Sequence, residues 1–226
     1  MRKTVIMLFL CLVGVFLNIV FNKVFTASGL GFPLYLDTIF TVTVTFLGGL
    51  FWGCLTGALT NIVGHSLDFW GWEGYFFTLC NIATAVITWL FIRFFPQELK
   101  FLQLGGNSNE KIYINSDYYK KAINCIVVLI LLSFTLWIAM SLLGGLISAL
   151  IQLITNSSAD ELKLRALLGD SMFSHLPIVL SEIFSRIPVN IIDRLIAVFG
   201  GFGTAFIVNI LYFGGKNANE KNISLS

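Results

Sequence analysis

Val5-Ile6-Met7-Leu8-Phe9-Leu10-Cys11-Leu12-Val13-Gly14-Val15-Phe16-Leu17-Asn18-Ile19-Val20-Phe21-Asn22-Lys23-Val24-Phe25 is an apolar run interrupted by two asparagines and one late charge. A bilayer core about 30 Å thick needs roughly 20 helical residues to cross it, and this run supplies them. Arg2 and Lys3 precede it. A basic start before an apolar run also begins secretory signal peptides. The run is longer than such a core, however, and Phe25-Thr26-Ala27 puts a bulky residue where a small one belongs, so a retained helix is expected.

Working outward, the same length criterion places further spans at 33–50, 51–68, 74–95, 122–155 and 188–213, with an outer segment at 156–187. The expected fold is therefore all-α: one membrane domain over 1–226, a polytopic integral membrane bundle of six transmembrane helices. The composition agrees. Of 226 residues 57% are hydrophobic, 15% aromatic and 12% charged, about half the roughly 25% charge of soluble domains. A net charge of +2 leaves no basic field for nucleic acid. Cys11, Cys54, Cys80 and Cys125 sit singly in apolar stretches, a pattern that fits neither a disulfide framework nor a metal site. The fifth span is too long to lie wholly within a bilayer, so a break or protrusion is expected at or beyond Gly144-Gly145.

Orientation follows from Lys and Arg in the connections. With the N-terminus inside, Arg2, Lys3, Arg93, Lys100, Lys111, Lys120, Lys121, Lys216 and Lys221 are cytoplasmic, against Lys23, Lys163, Arg165, Arg186 and Arg194 outside. Nine against five favours the cytoplasmic membrane with both termini in the cytoplasm.

Polar residues within spans must face protein or a cavity. Asp37, Thr38, Thr41 and Thr45 recur at helical spacing on the second span. Gly49, Gly53, Gly57, Asn61 and His65 recur every four residues on the third, and small residues at that period let backbones approach closely. Asn81 and Thr84 follow on the fourth span, and Asn190, Asp193 and Arg194 on the sixth. In the six-span topology Asp37, Asn61, His65, Asn81 and Asp193 all fall in the outer half of the bundle. A polar cavity opening outward is the expectation, roofed by loop aromatics that include Trp70 and Trp72. A structural reading stands beside it. Pro33 and Pro188 suit helix starts, where Asp37 and Asp193 would complement the dipole; Trp70 and Trp72 would be an interfacial belt.

Catalytic and cofactor-binding motifs are missing from the sequence. Gly214-Gly215-Lys216-Asn217 fails the phosphate loop at its hydroxyl position, and the only histidines, His65 and His175, are too far apart for the H-E-x-x-H zinc-protease signature. No enzyme, cofactor or metal is expected.

Pro33-Leu34-Tyr35-Leu36-Asp37-Thr38, Gly48-Gly49-Leu50-Phe51-Trp52-Gly53, Thr56-Gly57-Ala58-Leu59-Thr60-Asn61, Tyr75-Phe76, Asn81-Ile82-Ala83 and Ile191-Ile192-Asp193-Arg194-Leu195 together resemble the S components, the substrate-binding subunits, of energy-coupling factor (ECF) transporters. The resemblance implies a six-helix bundle that captures a vitamin or similar micronutrient at its outer face. It also implies a transmembrane coupling protein and two ATPases as partners. Members of that family often carry small residues four apart on the first helix as a docking face; here that helix offers Cys11, Gly14, Val15 and Asn18. Asp37, Asn61, His65, Trp70, Trp72, Asn81 and Asp193 are the candidate substrate-binding residues. A membrane sensor, or a stand-alone channel or secondary carrier, is the alternative class.

The topology is testable at Ser108, in the turn-rich connector between the fourth and fifth spans. Ser108→Cys in a cysteine-free background is expected to resist impermeant thiol reagents in intact cells and to label after permeabilisation; labelling in intact cells would overturn the orientation.

Overall fold

The computed structural model of the chain describes residues 2–27, 34–67, 72–99, 116–155 and 176–214. They form α1 (Arg2–Ala27), α2 (Ile39–Gly48), α3 (Leu50–Ser66), a 3-10 turn (Trp72–Phe77), α4 (Thr78–Phe94), the single turn α5 (Pro96–Leu99), α6 (Ser116–Thr155) and α7 (Ile178–Val208), which closes in a π turn (Asn209–Gly214). The described residues are all-α and contain no strand. Four stretches, Lys3–Phe25, Gly74–Phe94, Tyr119–Ile154 and Ile178–Leu211, are long and apolar enough to cross a bilayer, the mark of a multi-pass membrane protein. At 10 and 17 residues, α2 and α3 are shorter.

Segment 33–50, expected as one span, is helical only from Ile39. The cause lies in its backbone partners. Leu36 takes a positive φ of 43° and gives its N–H to Asp193 Oδ1 at 2.8 Å, while the Tyr35 carbonyl accepts from Asn22 Nδ2 at 2.7 Å. Side chains from α7 and α1 thus hold backbone groups that a longer helix would pair internally. At its other end α2 stops at Gly49, whose φ of 81° suits glycine. Gly49 therefore turns the corner into α3 and takes no part in the close packing expected of it.

Three further expectations change. Pro188 lies inside α7, which starts ten residues earlier behind Pro177. A mid-helix proline lacks an N–H and crowds the preceding turn; the turns before it are held on α6, where Trp137 Nε1 donates to the Ile187 carbonyl at 3.1 Å and Arg186 to Ser148 Oγ at 3.2 Å. Of the break or protrusion expected of the fifth span, the break is absent: α6 runs unbroken through Gly144 and Gly145 for 40 residues, about 60 Å at 1.5 Å per residue, which exceeds a bilayer core. Its glycines serve contact instead of a break, since a Cβ on Gly145 would lie 2.8 Å from Ile183 Cα. Of the outer segment, 156–175 lies outside the described residues, and its end forms the first turns of α7.

Residue pairs fix the direction of each helix. α1 runs antiparallel to α2, with Met7 at Gly48 and Asn22 at Tyr35. α3 runs antiparallel to α4, with Gly53 at Ala85 and His65 at Gly74. α6 runs antiparallel to α7, and α7 runs parallel to α2. The six main helices alternate up and down.

α2 is the centre of this bundle and packs on α1, α3, α4 and α7. Ile39 and every residue from Thr41 to Thr45 are buried, as expected of a helix apolar on all sides. Its threonines cost little there because they bond back to the helix, Thr45 to the Thr41 carbonyl and Thr43 to the Ile39 carbonyl. Gly53 and Gly57 let α3 close in. A Cβ on Gly53 would collide with the Thr45 hydroxyl, and one on Gly57 would lie 2.9 Å from the Asn81 carbonyl oxygen. Away from this centre, Phe9, Phe16, Phe51 and Leu150 are exposed, as a lipid-facing shell requires.

Gly57→Ala is expected to lower stability in detergent by about 1–3 kcal/mol through overpacking against a backbone that cannot yield. Gly203 is helical with open space around it, so Gly203→Ala should leave the melting temperature unchanged or raise it. Equal behaviour of the two variants would remove the close α3–α4 approach.

Candidate functional site

One level of the bundle concentrates polar side chains from five helices. At its centre lies a buried ion pair of adjacent residues on α7: Arg194 Nη2 contacts Asp193 Oδ2. Arg194 Nη1 donates to Thr38 Oγ1 at 2.9 Å and to Thr84 Oγ1 at 3.4 Å, linking α7 to the start of α2 and to α4. Asp193 holds the Leu36 N–H with its other oxygen. One residue further, Asp37 Oδ2 accepts from Asn81 Nδ2 at 3.1 Å, and its carboxylate senses the charges of both Arg194 and Asp193.

A second knot adjoins it on α1. Asn18, fully buried, donates to Thr41 Oγ1 and Thr60 Oγ1, each at 3.2 Å, and accepts from the Phe40 N–H at 3.0 Å. One amide thereby ties α1 to α2 and α3. Towards α6 the layer continues through Asn190 Nδ2, which donates to Ser141 Oγ at 3.1 Å. Two turns along α7, the buried Glu182 accepts from Gln152 Nε2 at 2.7 Å, and Arg186 donates to Ser148 Oγ at 3.2 Å while its guanidinium lies over the Phe77 ring.

Of the candidate residues, Asp37, Asn81 and Asp193 meet in the first group. Asn61 follows Gly57 by one turn on the α3 face that packs on α4, so it faces the N-terminal turn of α4 near Asn81. It is 3% exposed, and its Nδ2 has no hydrogen-bond partner among the described residues. Arg194 Nε is in the same position. His65 sits one turn beyond Asn61, against Gly74, and stacks on Tyr75 with ring centroids 3.9 Å apart. Trp70 lies outside the described residues, as does the side chain of Trp72, whose backbone opens the 3-10 turn.

The seven candidates omit Arg194, Asn18 and Asn22. Arg194 counts among the outer charges in the Lys and Arg tally and among the polar residues of the sixth span; it is 5% exposed and bridges three helices. On α1, Cys11, Val15, Asn18 and Asn22 are all buried towards α2 and α3, so this face packs the bundle and is not available for docking. Their spacing of three to four residues was the available signal, since an amide in mid-span needs a specific partner.

Beyond this level the character changes. Leu99, Val128, Leu132, Leu136, Met140 and Val198 form a buried apolar cluster between the far ends of α4, α6 and α7. Among the described residues the buried charges and amides therefore occupy one half of the bundle, while hydroxyls in the other half, such as Thr88 and Ser133, bond back to their own helices. Among the described residues no group of three or more His, Cys, Asp or Glu could hold a metal ion. The arrangement offers paired charges, hydroxyls and amides suited to binding. Comparison with family models, curated proteins and solved structures returns no match.

The two buried asparagines are expected to part company on substitution. Asn18→Ala strands the Phe40 N–H and breaks the bonds to both threonines, lowering stability by about 1–3 kcal/mol. Asn61→Ala removes no hydrogen bond of Nδ2 and should melt closer to the wild type. Thermal unfolding in detergent decides it, and equal losses would mean that Asn61 is a structural amide.

Proposed function

We propose that this chain is the substrate-binding membrane subunit of an ECF-type uptake transporter, capturing a vitamin or similar micronutrient from the outer face. It hands the ligand to a transmembrane coupling protein driven by two ATPases. The observation that carries this reading is the polar layer: side chains from α1, α2, α3, α4 and α7 converge at one depth, and two donors buried there, Asn61 Nδ2 and Arg194 Nε, have no acceptor among the described residues. Buried donors are ordinarily satisfied, and a bound ligand would supply the acceptors.

In this proposal α1, α2, α3, α4, α6 and α7 are the six passes, with both termini in the cytoplasm. Their alternating directions support it. So does the charge distribution, nine Lys and Arg against five. The substrate-binding residues in this proposal are Asp37, Asn61, His65 and Asn81, with Asp193 and Arg194 holding the site. The apolar cluster between α4, α6 and α7 offers no ionisable path onward, which favours capture over a stand-alone channel or carrier.

Purification of the tagged chain from its native membrane is expected to bring down a coupling protein, two ATPases and a small molecule identifiable by mass spectrometry. With that molecule in hand, Asn81→Ala should weaken binding by about three- to a hundredfold while the protein stays folded. Absence of the ATPases would overturn the transporter assignment, and unchanged affinity in both Asn61→Ala and Asn81→Ala would overturn the site.

A further inference from the structure

Asn61, Asn81, Asp193 and Arg194 are each at most 5% exposed, so a ligand reaches them only after some element of the bundle moves aside. Two helices carry a weak point at matching depth. Gly144 on α6 faces Arg186 on α7, and Ser141 faces Asn190, which brings Pro188 close to the level of the glycine pair. Pro188 has no N–H to give to the Phe184 carbonyl four residues back, and helix bends concentrate at proline and at paired small residues. The two glycines differ in what packing asks of them. A Cβ on Gly145 would lie 2.8 Å from Ile183 Cα, whereas one on Gly144 would lie 3.6 Å from the Arg186 side chain, an ordinary contact. Packing therefore requires glycine at 145 and would accept alanine at 144. What glycine does at 144 is ease bending of α6.

Beyond this level the two helices are joined to each other. Ser148 accepts from Arg186, and Gln152 donates to Glu182, so 146–155 and 178–186 hold together as a pair. On the near side, Trp137 holds the Ile187 carbonyl, and Asp193 and Arg194 tie α7 to α2 and α4. The pair meets the α4 side through Arg186, whose guanidinium lies 5.0 Å from the centre of the Phe77 ring, and through the packing of α6 on the 3-10 turn. Phe77 immediately precedes α4, one turn from Asn81. It also lies near the level of Asn61, because Gly57 meets Asn81 and His65 meets Gly74. A cation over a ring is a contact of modest strength, which suits a latch.

Resting on the capture reading above, we infer that 146–155 and 178–186 form a hinged gate over the polar layer, bending at Gly144 and Pro188 and latched by Arg186 on Phe77. Ligand passes between the gate and the N-terminal turn of α4. Hinges of this kind are a few positions that absorb a backbone change while the packed parts on either side move as units.

A native thiol reports the opening. Cys80, one residue before Asn81, lies within electrostatic reach of Arg186, Arg194 and Asp37, between the latch and the layer. Cys125 is buried in the apolar cluster at the other end and reports general loosening. Single-cysteine forms of the full chain, retaining Cys80 or Cys125, are labelled in detergent with a water-soluble maleimide and followed by mass spectrometry. Gly144→Ala is expected to slow Cys80 labelling by roughly two- to fivefold, the scale of the helix-propensity difference between the two residues, with the melting temperature unchanged or raised. Phe77→Leu keeps apolar bulk but removes the ring, and should speed Cys80 labelling by roughly two- to tenfold. Gly203→Ala, which strengthens α7 away from the hinge, should leave it unaffected, and Cys125 should respond to none of the three. Cys80 rates indifferent to both Gly144→Ala and Phe77→Leu, or changing in step with Cys125, would overturn the gate. The two readings fail separately: labelling rates decide the gate, and a native complex lacking both ATPases and small molecule refutes capture whatever those rates are.

Discussion

The contact on which the rest of the bundle depends is the buried pair of Asp193 and Arg194, through which α7 grips the start of α2. Two adjacent residues on one helix turn divide the work. The carboxylate fixes the backbone at Leu36, and the guanidinium fixes the hydroxyls of Thr38 and Thr84. Removing charges from water is expensive, and a buried pair repays that only when further hydrogen bonds satisfy both partners. Here those bonds all go to elements that must be held in register. The pair is thus better understood as a positional device than as a net source of stability. It determines where α2 begins, and with that the height at which Asp37 is presented.

α2 needs such a device because it is short. A helix of 10 residues gains little from its own hydrogen-bond ladder and relies on neighbours on all sides. In an apolar solvent the hydrophobic effect does not drive helices together, so association comes from close packing and interhelical hydrogen bonds, each of modest size. Both are concentrated on α2. Gly53 and Gly57 bring α3 to backbone distance of its neighbours, Asn18 and Asn22 draw in α1, and Gly201 on α7 leaves room for Val42. Removing any one of these would loosen the same central helix.

The two ends of the bundle differ in character. The buried amides and charges share one half, and apolar side chains dominate the end between α4, α6 and α7, where buried hydroxyls such as Thr88 and Ser133 bond back to their own helices. Among the described residues the buried apolar cluster carries no Asp, Glu, Lys, Arg or His, and this contrast between the two halves is what the proposed capture role draws on.

The sequence alone determined the all-α membrane class, because uninterrupted apolar runs have one viable solution in lipid, and it determined that Gly53 and Gly57 lie on a contact face, because a four-residue period is a property of the helix itself. Asp37, Asn81 and Asp193 were legible as site candidates for a similar reason, since polar groups at membrane depth are conspicuous. Other features depended on partners distant in sequence. Whether Pro188 starts a helix or sits inside one turned on the packing of 178–187 against α6, through Gly145 at Ile183 and Ser148 at Arg186. Whether 33–50 is one helix turned on Asp193, 157 positions from Leu36 along the chain. The inward face of Cys11 and Asn18 and the burial of Arg194 were likewise decided by which helices lie alongside. Local spacing fixes the face of a helix that a residue occupies. Only the tertiary structure decides what that face meets, because hydrogen-bond partners in this bundle come from helices that the sequence does not place side by side.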